Sequence, residues 1–449
     1  MADCRIRFST IGAALLPLSL LACGSVDNSA ANNTSGRVEL FSWWTSGGEA
    51  SALAAAIGIH KQKYPNVNVV NLTGPDSNVA HAQLVQRMQG GNPPDTFQVN
   101  IGEDLMYWVK SNGIDATESP LEPIDAYVSK NGFYSLLVDQ VTVGGAFYAV
   151  PMNVHRINSL FFNKKLFAQL GINEPSEGMT LDQFNQLCVT IKGKGKVPVP
   201  LALGNVGRWP LQELVFEDIL PGIAGAAYYE SFWRGNEHTS DGVIKDTIDE
   251  ALLLRCGPTK ALPCDGGYFN TDADNIDWPA ALDMVQKGTA AMSAMGDWAK
   301  GYFESKGWTA DVDFGVVQFP GKYKVFVYTA DSFPLPINDA PSHDLAAQLL
   351  QTFASVESQV AFNQIKGSIP ARSDIDLTQY PGSFDAMHLR TYQSFHDATQ
   401  ALNTALALSG LLPIGVLTDL RNTLQYSMSQ GTSAYIQTYL DKNYATLNR

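Results

Sequence analysis

An α/β fold built around a parallel, doubly wound sheet is what this sequence predicts, and three observations carry the prediction. Residues 38–100 alternate strand, helix, strand, helix, strand at the spacing of linked βαβ units, for which right-handed crossovers are expected. A second strand-then-helix run begins near 147. The 449 residues are 45% apolar and 16% charged, enough for a large core in two or three domains and unlike a disordered chain.

The first strand is VELFS (38–42), closed by the turn TSGG (45–48). A helix over 49–63 follows, with Leu53, Ala56, Ile57 and His60 on one stripe. Next come strand VNVVNL (67–72), helix PDSNVAHAQLVQRMQGG (75–91) with glycine stops, and strand DTFQVN (95–100). After the shift at FYAVP (147–151), INSLFFNKKLFAQLGI (157–172) reads as strand then helix. TLDQFNQLCVTIKGKGK (180–196) reads as a helix with Thr180 as N-cap, its basic end being a solvated terminus rather than a phosphate site. KGTAAMSAMGDWAKGYF (287–303), YTADSFPLP (328–336) and NQIKGSIPARSD (363–374) add further turn signals.

In such sheets ligands sit beyond the carboxyl ends of the strands. Trp43 and Trp44 follow the first strand, and Gln98 and Asn100 end the third, so both groups fall on that edge. Neighbouring strand side chains face opposite ways, so the two indoles cannot share one packing site. We expect Trp44 to face ligand and Trp43 to pack against its own lobe.

A formal charge of -14 disfavours nucleic acid, whose phosphates need a basic face. Residues 1–22 have the layout of a secretory signal: Arg5 and Arg7, an apolar run too short to span a membrane, then small residues. Its LLAC ending is similar to the lipobox of bacterial lipoproteins, with cleavage before a lipidated Cys23; an ordinary signal cleaved near Ala22 is the competing reading. Residues 23–36 form a flexible tether reaching roughly 20 Å. CGPTKALPC (256–264) admits either a short Cys256–Cys264 disulfide loop or free thiols. No Cys or His cluster has metal-ligand spacing, and no cofactor motif is present: GxSxG, the P-loop and the dinucleotide fingerprint are absent.

From Val38 to about Arg372 the chain resembles the sugar-binding lipoproteins of bacterial ABC carbohydrate importers, through YAVPMNVHRINSLFFNKKLFAQLGI, KGTAAMSAMGDWAKG and NQIKGSIPAR. Trp43–Trp44, DTFQVN and YTADSF place the resemblance nearest the glucose-type, monosaccharide-binding branch. It implies a two-lobe periplasmic-binding-protein fold, with the ligand cleft between lobes and a hinge of three crossings near 148–151, 328–331 and 368–372. Lobe 1 would be 37–149 plus 332–370, and lobe 2 would be 150–331 plus 371–449. The implied function is an extracytoplasmic, lipid-anchored monomer that closes on a monosaccharide and delivers it to permease subunits. The sugar-contacting residues it implies are Trp44, Glu49, Gln98, Asn100, His155, Trp278, Trp298, Asp331 and Lys366, with Trp43 beside them. Two departures bear on the sugar: glucose-type members have histidine where this chain has Asn100, and another where it reads LALSGLLP around Ser409.

The residue types suit a pyranose, whose C–H faces need flat apolar surfaces and whose hydroxyl rim needs donors and acceptors. Each buried hydroxyl left unpaired costs about 1–3 kcal/mol. Trp278 and Trp298 supply platforms, Trp44 a wall, Asp331 a charged acceptor and Lys366 a charged donor. With eight tryptophans in the chain, core packing competes for each indole. An oligosaccharide binder and a glycan-active enzyme are the alternatives. A glycosidase needs two carboxylates across the bond, and nothing in the sequence pairs Asp297 with Asp331.

Overall fold

The computed structural model describes residues 35–444 apart from 46, 74–76, 111–118, 196–198, 237–241, 261, 263, 265–266 and 339. The expected signal segment, Cys23 and the tether through residue 34 lie outside the described residues.

Strand Gly36–Ser42 is central in a parallel sheet, flanked by Val67–Thr73 and Thr96–Phe97, with Leu40 opposite Asn71 on one side and Thr96 on the other. The expected third strand divides at Gln98. Thr96–Phe97 stays in the parallel sheet, while Val99–Asn100 pairs antiparallel with Asp331–Pro336. Gln98 stands at the break between two sheets. Helix Gly47–Lys63 buries Ala52, Leu53, Ala56 and His60 and packs against helices His343–Phe353 and Val356–Lys366. The apolar stripe of this helix is therefore covered by sequence some 290 positions away, illustrated by the 2.9 Å bond between His60 Nδ1 and Thr352 Oγ1, which are 292 apart.

The other lobe has a mixed sheet. Ser159–Asn163 runs antiparallel to Ala290–Ala294 and Phe314–Gln318, and Val199–Ala202 lies parallel to Ala290–Ala294. Thr180 caps helix Leu181–Gly193 through a reciprocal box with Gln183. The parallel arrangement expected from the sequence thus describes the first three strands, and antiparallel pairs dominate elsewhere. Cys256 and Cys264 form a disulfide, and the buried thiol of Cys188 is free.

Between the lobes the chain passes side by side three times. Ala149–Pro151 pairs with Asp331–Pro336; two residues later Asn153–Arg156 pairs with Phe326–Thr329 and with Ile369–Pro370. Met152 N donates to Asp331 O at 2.8 Å, and Asp331 N donates to Asn153 Oδ1 at 2.8 Å. His155 and Asp331 therefore sit where the crossing strands are pinned.

Candidate functional site

Strand ends and helix ends converge at Asp331. Its carboxylate accepts from Gln98 Nε2 at 2.6 Å and from Asn153 Nδ2 at 2.8 Å, with His155 Nε2 at 3.1 Å. The other ring nitrogen of His155 meets Asp297, whose second oxygen accepts from Arg156 N at 2.9 Å. Asp297 directly precedes helix Trp298–Ser305, so the imidazole ties the start of that helix to the start of strand Asp331–Pro336. Burial alone would push His155 down, but Asp297, with Asp331 behind it, holds it above its ordinary value. Burial would likewise raise Asp331, yet the bonds and charge of His155, together with Lys366, hold it below the usual carboxylate range.

Lys366 ends helix Val356–Lys366 and is 2% exposed. Its ammonium binds Glu49 at 2.5 Å and lies 5.5 Å from the Trp44 ring centre and 5.8 Å from that of Trp298. Glycine makes this approach possible. A Cβ on Gly48 would come within 2.6 Å of Gly301 O, and one on Gly301 within 2.8 Å of Lys366 O. The three helices meet backbone to backbone there, which brings Glu49, Trp298 and Lys366 together.

Of the residues singled out from the sequence, Trp44, Glu49, Gln98, His155, Trp298, Asp331 and Lys366 join one contact network. Trp43 joins through its backbone, which donates to Gln98 Oε1 at 3.2 Å. Trp44, expected to face ligand, is buried, and Trp43 packs against the core while remaining partly exposed. Trp44 N donates to Ser42 Oγ at 3.3 Å, turning the chain inward after the strand. The Trp44 ring then enters the core at 5.8 Å from Phe333 and 5.0 Å from Phe362, only 1% exposed, whereas Trp43 stays half-buried. Asn100 lies opposite Asp331 in the strand pair, but its side chain turns to Asp104 at 3.2 Å. Trp278 packs on Tyr302 at 5.4 Å, in a smaller apolar cluster, and does not join the network around Asp331 and Lys366 among the described contacts.

The sequence reading did not single out Asn153, Asp104, Trp209 or Glu213. Trp209 packs on Trp298 at 6.1 Å, and Glu213 accepts a hydrogen bond from the backbone of Gly296, two residues before that tryptophan. Glu213, Glu217 and Asp218 all lie on one π-helical stretch, Glu213–Ile219, a distortion frequent at functional sites. Asp104, four residues after Asn100, was the one of these with a local signal.

The family model for bacterial extracellular solute-binding proteins matches residues 43–360. An uncharacterised ABC-transporter extracellular-binding protein of Pyrococcus horikoshii is 32% identical over 419 residues, covering 91% of this chain and 89% of that one. A probable sugar-binding periplasmic protein of Mesorhizobium japonicum is 29% identical, over 76% of this chain and 78% of its own length. Among solved structures, a bacterial solute receptor described as having an exclusive preference for β-D-galactopyranose superposes with a TM-score of 0.73 at 18% identity, covering 92% of this chain and 98% of that one. The two-lobe periplasmic-binding-protein fold is shared with such structures.

Proposed function

The chain belongs to the bacterial extracellular solute-binding protein family, and from that premise we propose that it binds a monosaccharide, glucose or a related hexose. In this reading lobes 37–149 plus 332–370 and 150–331 plus 371–449 close on the sugar, and the protein delivers it to an ABC permease without catalysing a reaction. Closure follows because a ligand touching both lobes binds the closed state better. The protein acts as a monomer held outside the cytoplasm by lipid on Cys23; among the described residues no helix is long and apolar enough to cross a membrane.

One observation carries the reading: a charged donor, Lys366, and a charged acceptor, Asp331, are gathered beside Trp44 and Trp298 where the lobes meet. Flat apolar rings next to directional charged groups are what a pyranose requires. The test is calorimetry on protein stripped of endogenous sugar, using pairs of epimeric hexoses. Trp298→Ala should weaken both epimers alike, by roughly thirtyfold. Asp331→Ala should weaken them unequally, because a carboxylate grips particular hydroxyls. Heat from long oligosaccharides but from no monosaccharide would reject the monosaccharide assignment.

A further inference from the structure

A cavity of about 330 Å³ is lined by His81, Arg208, Thr418, Arg421 and Asn422, among others, and no Asp or Glu is among the described residues lining it. In a chain of net charge -14, a cavity whose ionisable lining is entirely basic runs against the background. Neither arginine has a carboxylate within ion-pair distance among the described residues. The Arg208 guanidinium reaches Asn422, and Arg421 Nε donates to Gln212 Oε1 at 3.1 Å. Burial pulls Arg421 down to about 10, against the opposing influence of Glu217, Asp104 and Glu213 behind it. Glu217 is already occupied, accepting from Gln212 Nε2 at 2.6 Å and from Leu408 N at 2.7 Å.

The cavity shares no lining residue with the candidate site, but neighbours of its lining reach that site by two routes. Arg208, held at φ 64°, immediately precedes Trp209, which packs on Trp298. By the other route, His81 packs on Tyr107 and Trp108 at 5.2 and 5.4 Å. Those rings share a helix, Glu103–Val109, with Asp104, which holds Asn100 opposite Asp331. A planar guanidinium fork presents parallel donors that match the oxygens of a carboxylate or a phosphate.

We infer that this cavity receives an oxyanion carried by the sugar, so that the physiological ligand is an acidic sugar, a uronic acid or a sugar phosphate. The inference rests on the sugar-binding reading above and narrows it. Calorimetry on the stripped full chain would compare glucose with glucuronate and glucose 6-phosphate, and galactose with galacturonate, at low and raised salt. An acidic form should bind at least about tenfold tighter than its neutral parent, with the advantage shrinking in salt. Glucuronate or galacturonate leading identifies a carboxylate; glucose 6-phosphate leading identifies a phosphate. Arg208→Gln, at an exposed position, should abolish that advantage while leaving neutral sugar binding in place. Equal affinities for acid and parent, or an advantage that survives Arg208→Gln, would overturn this inference and leave the sugar reading standing. Binding of no sugar at all, neutral or acidic, would overturn both.

Discussion

Asp331 and Asp218 are both aspartates in the interior, 4% and 1% exposed, and the chain disposes of their charge in opposite ways. Asp331 stands where two sheets part and three crossings run together, so Gln98, Asn153 and His155 all reach it. Asp218 stands on the π-helical stretch, and among the described residues neither of its carboxylate oxygens has a hydrogen-bond partner. Burial, and then Glu217, push it well above the carboxylate range, with Arg156 opposing. The difference teaches that burial does not decide whether a carboxylate stays charged. The supply of donors does, and here it follows from strand topology.

The sharpest way to break the comparison is to remove the charge of Asp331 alone. Its folded pKa lies below the unfolded one, so its stabilisation is present above the ordinary carboxylate range and is lost as pH falls through the folded value. Asp331→Asn should therefore cost about 3–5 kcal/mol in urea denaturation at pH 7, leaving His155 with one carboxylate fewer, and the deficit should shrink in acid. His155, raised in the fold, supplies stability that is full below its unfolded pKa and fades as pH rises through the folded one. The paired centre is thus strongest between those limits. A deficit independent of pH would mean that Asp331 matters through shape rather than charge.

Asp218→Asn should have the opposite sign and a smaller size. A carboxyl raised in the fold costs stability as pH climbs past the unfolded value, since the unfolded chain releases its proton first. The amide should gain about 1–2 kcal/mol at pH 7 and nothing near pH 3, where both states hold the proton. Destabilisation at neutral pH would place an ionised Asp218 opposite Arg156, and the contrast with Asp331 would fail.

These two centres were not equally legible in the sequence. The first βαβ units could be read because a local pattern sets them: a strand, a turn of small residues and a helix with Leu53, Ala56 and His60 on one stripe are contiguous. Thr180 could be read as an N-cap for the same reason, though its reciprocal bond with Gln183 was seen only in the structure. Asp331, Lys366 and Trp298 were reached through family resemblance, since nothing in their own neighbourhoods says that residues 49, 298 and 366 converge. The inward turn of Trp44 is accompanied by a bond from its backbone N–H to the Ser42 hydroxyl, and strand alternation says only that the two indoles part, not which of them is buried. The division of the strand at Gln98 was invisible because its second half pairs with residues more than 200 positions away. The π-helical acids have no sequence signature; ELVFEDILPG reads as ordinary buried helix, and only the tertiary setting leaves Asp218 without donors.

The smallest expected effect, at Glu213, places the comparison on the edge of the candidate site. Glu213 shares the π-helical stretch with Asp218, and burial, then Glu217 and Asp218, raise its carboxyl well above the ordinary range. A carboxyl kept protonated has one acceptor oxygen and one donor group, nearly the inventory of a glutamine amide. Glu213→Gln should therefore keep the bond accepted from the Gly296 backbone, leave Trp298 in place, and change stability by no more than about 0.5 kcal/mol at pH 7. Hexose affinity should be unchanged within error. An ionised Glu213 gives a different outcome. It would be a counter-charge for Arg421, so its removal would cost well over 1 kcal/mol and would strengthen any oxyanion bound in the neighbouring cavity. Denaturation and acidic-sugar titration on this one variant therefore report whether the acids behind Arg421 are neutral, the condition under which its guanidinium is left to a ligand.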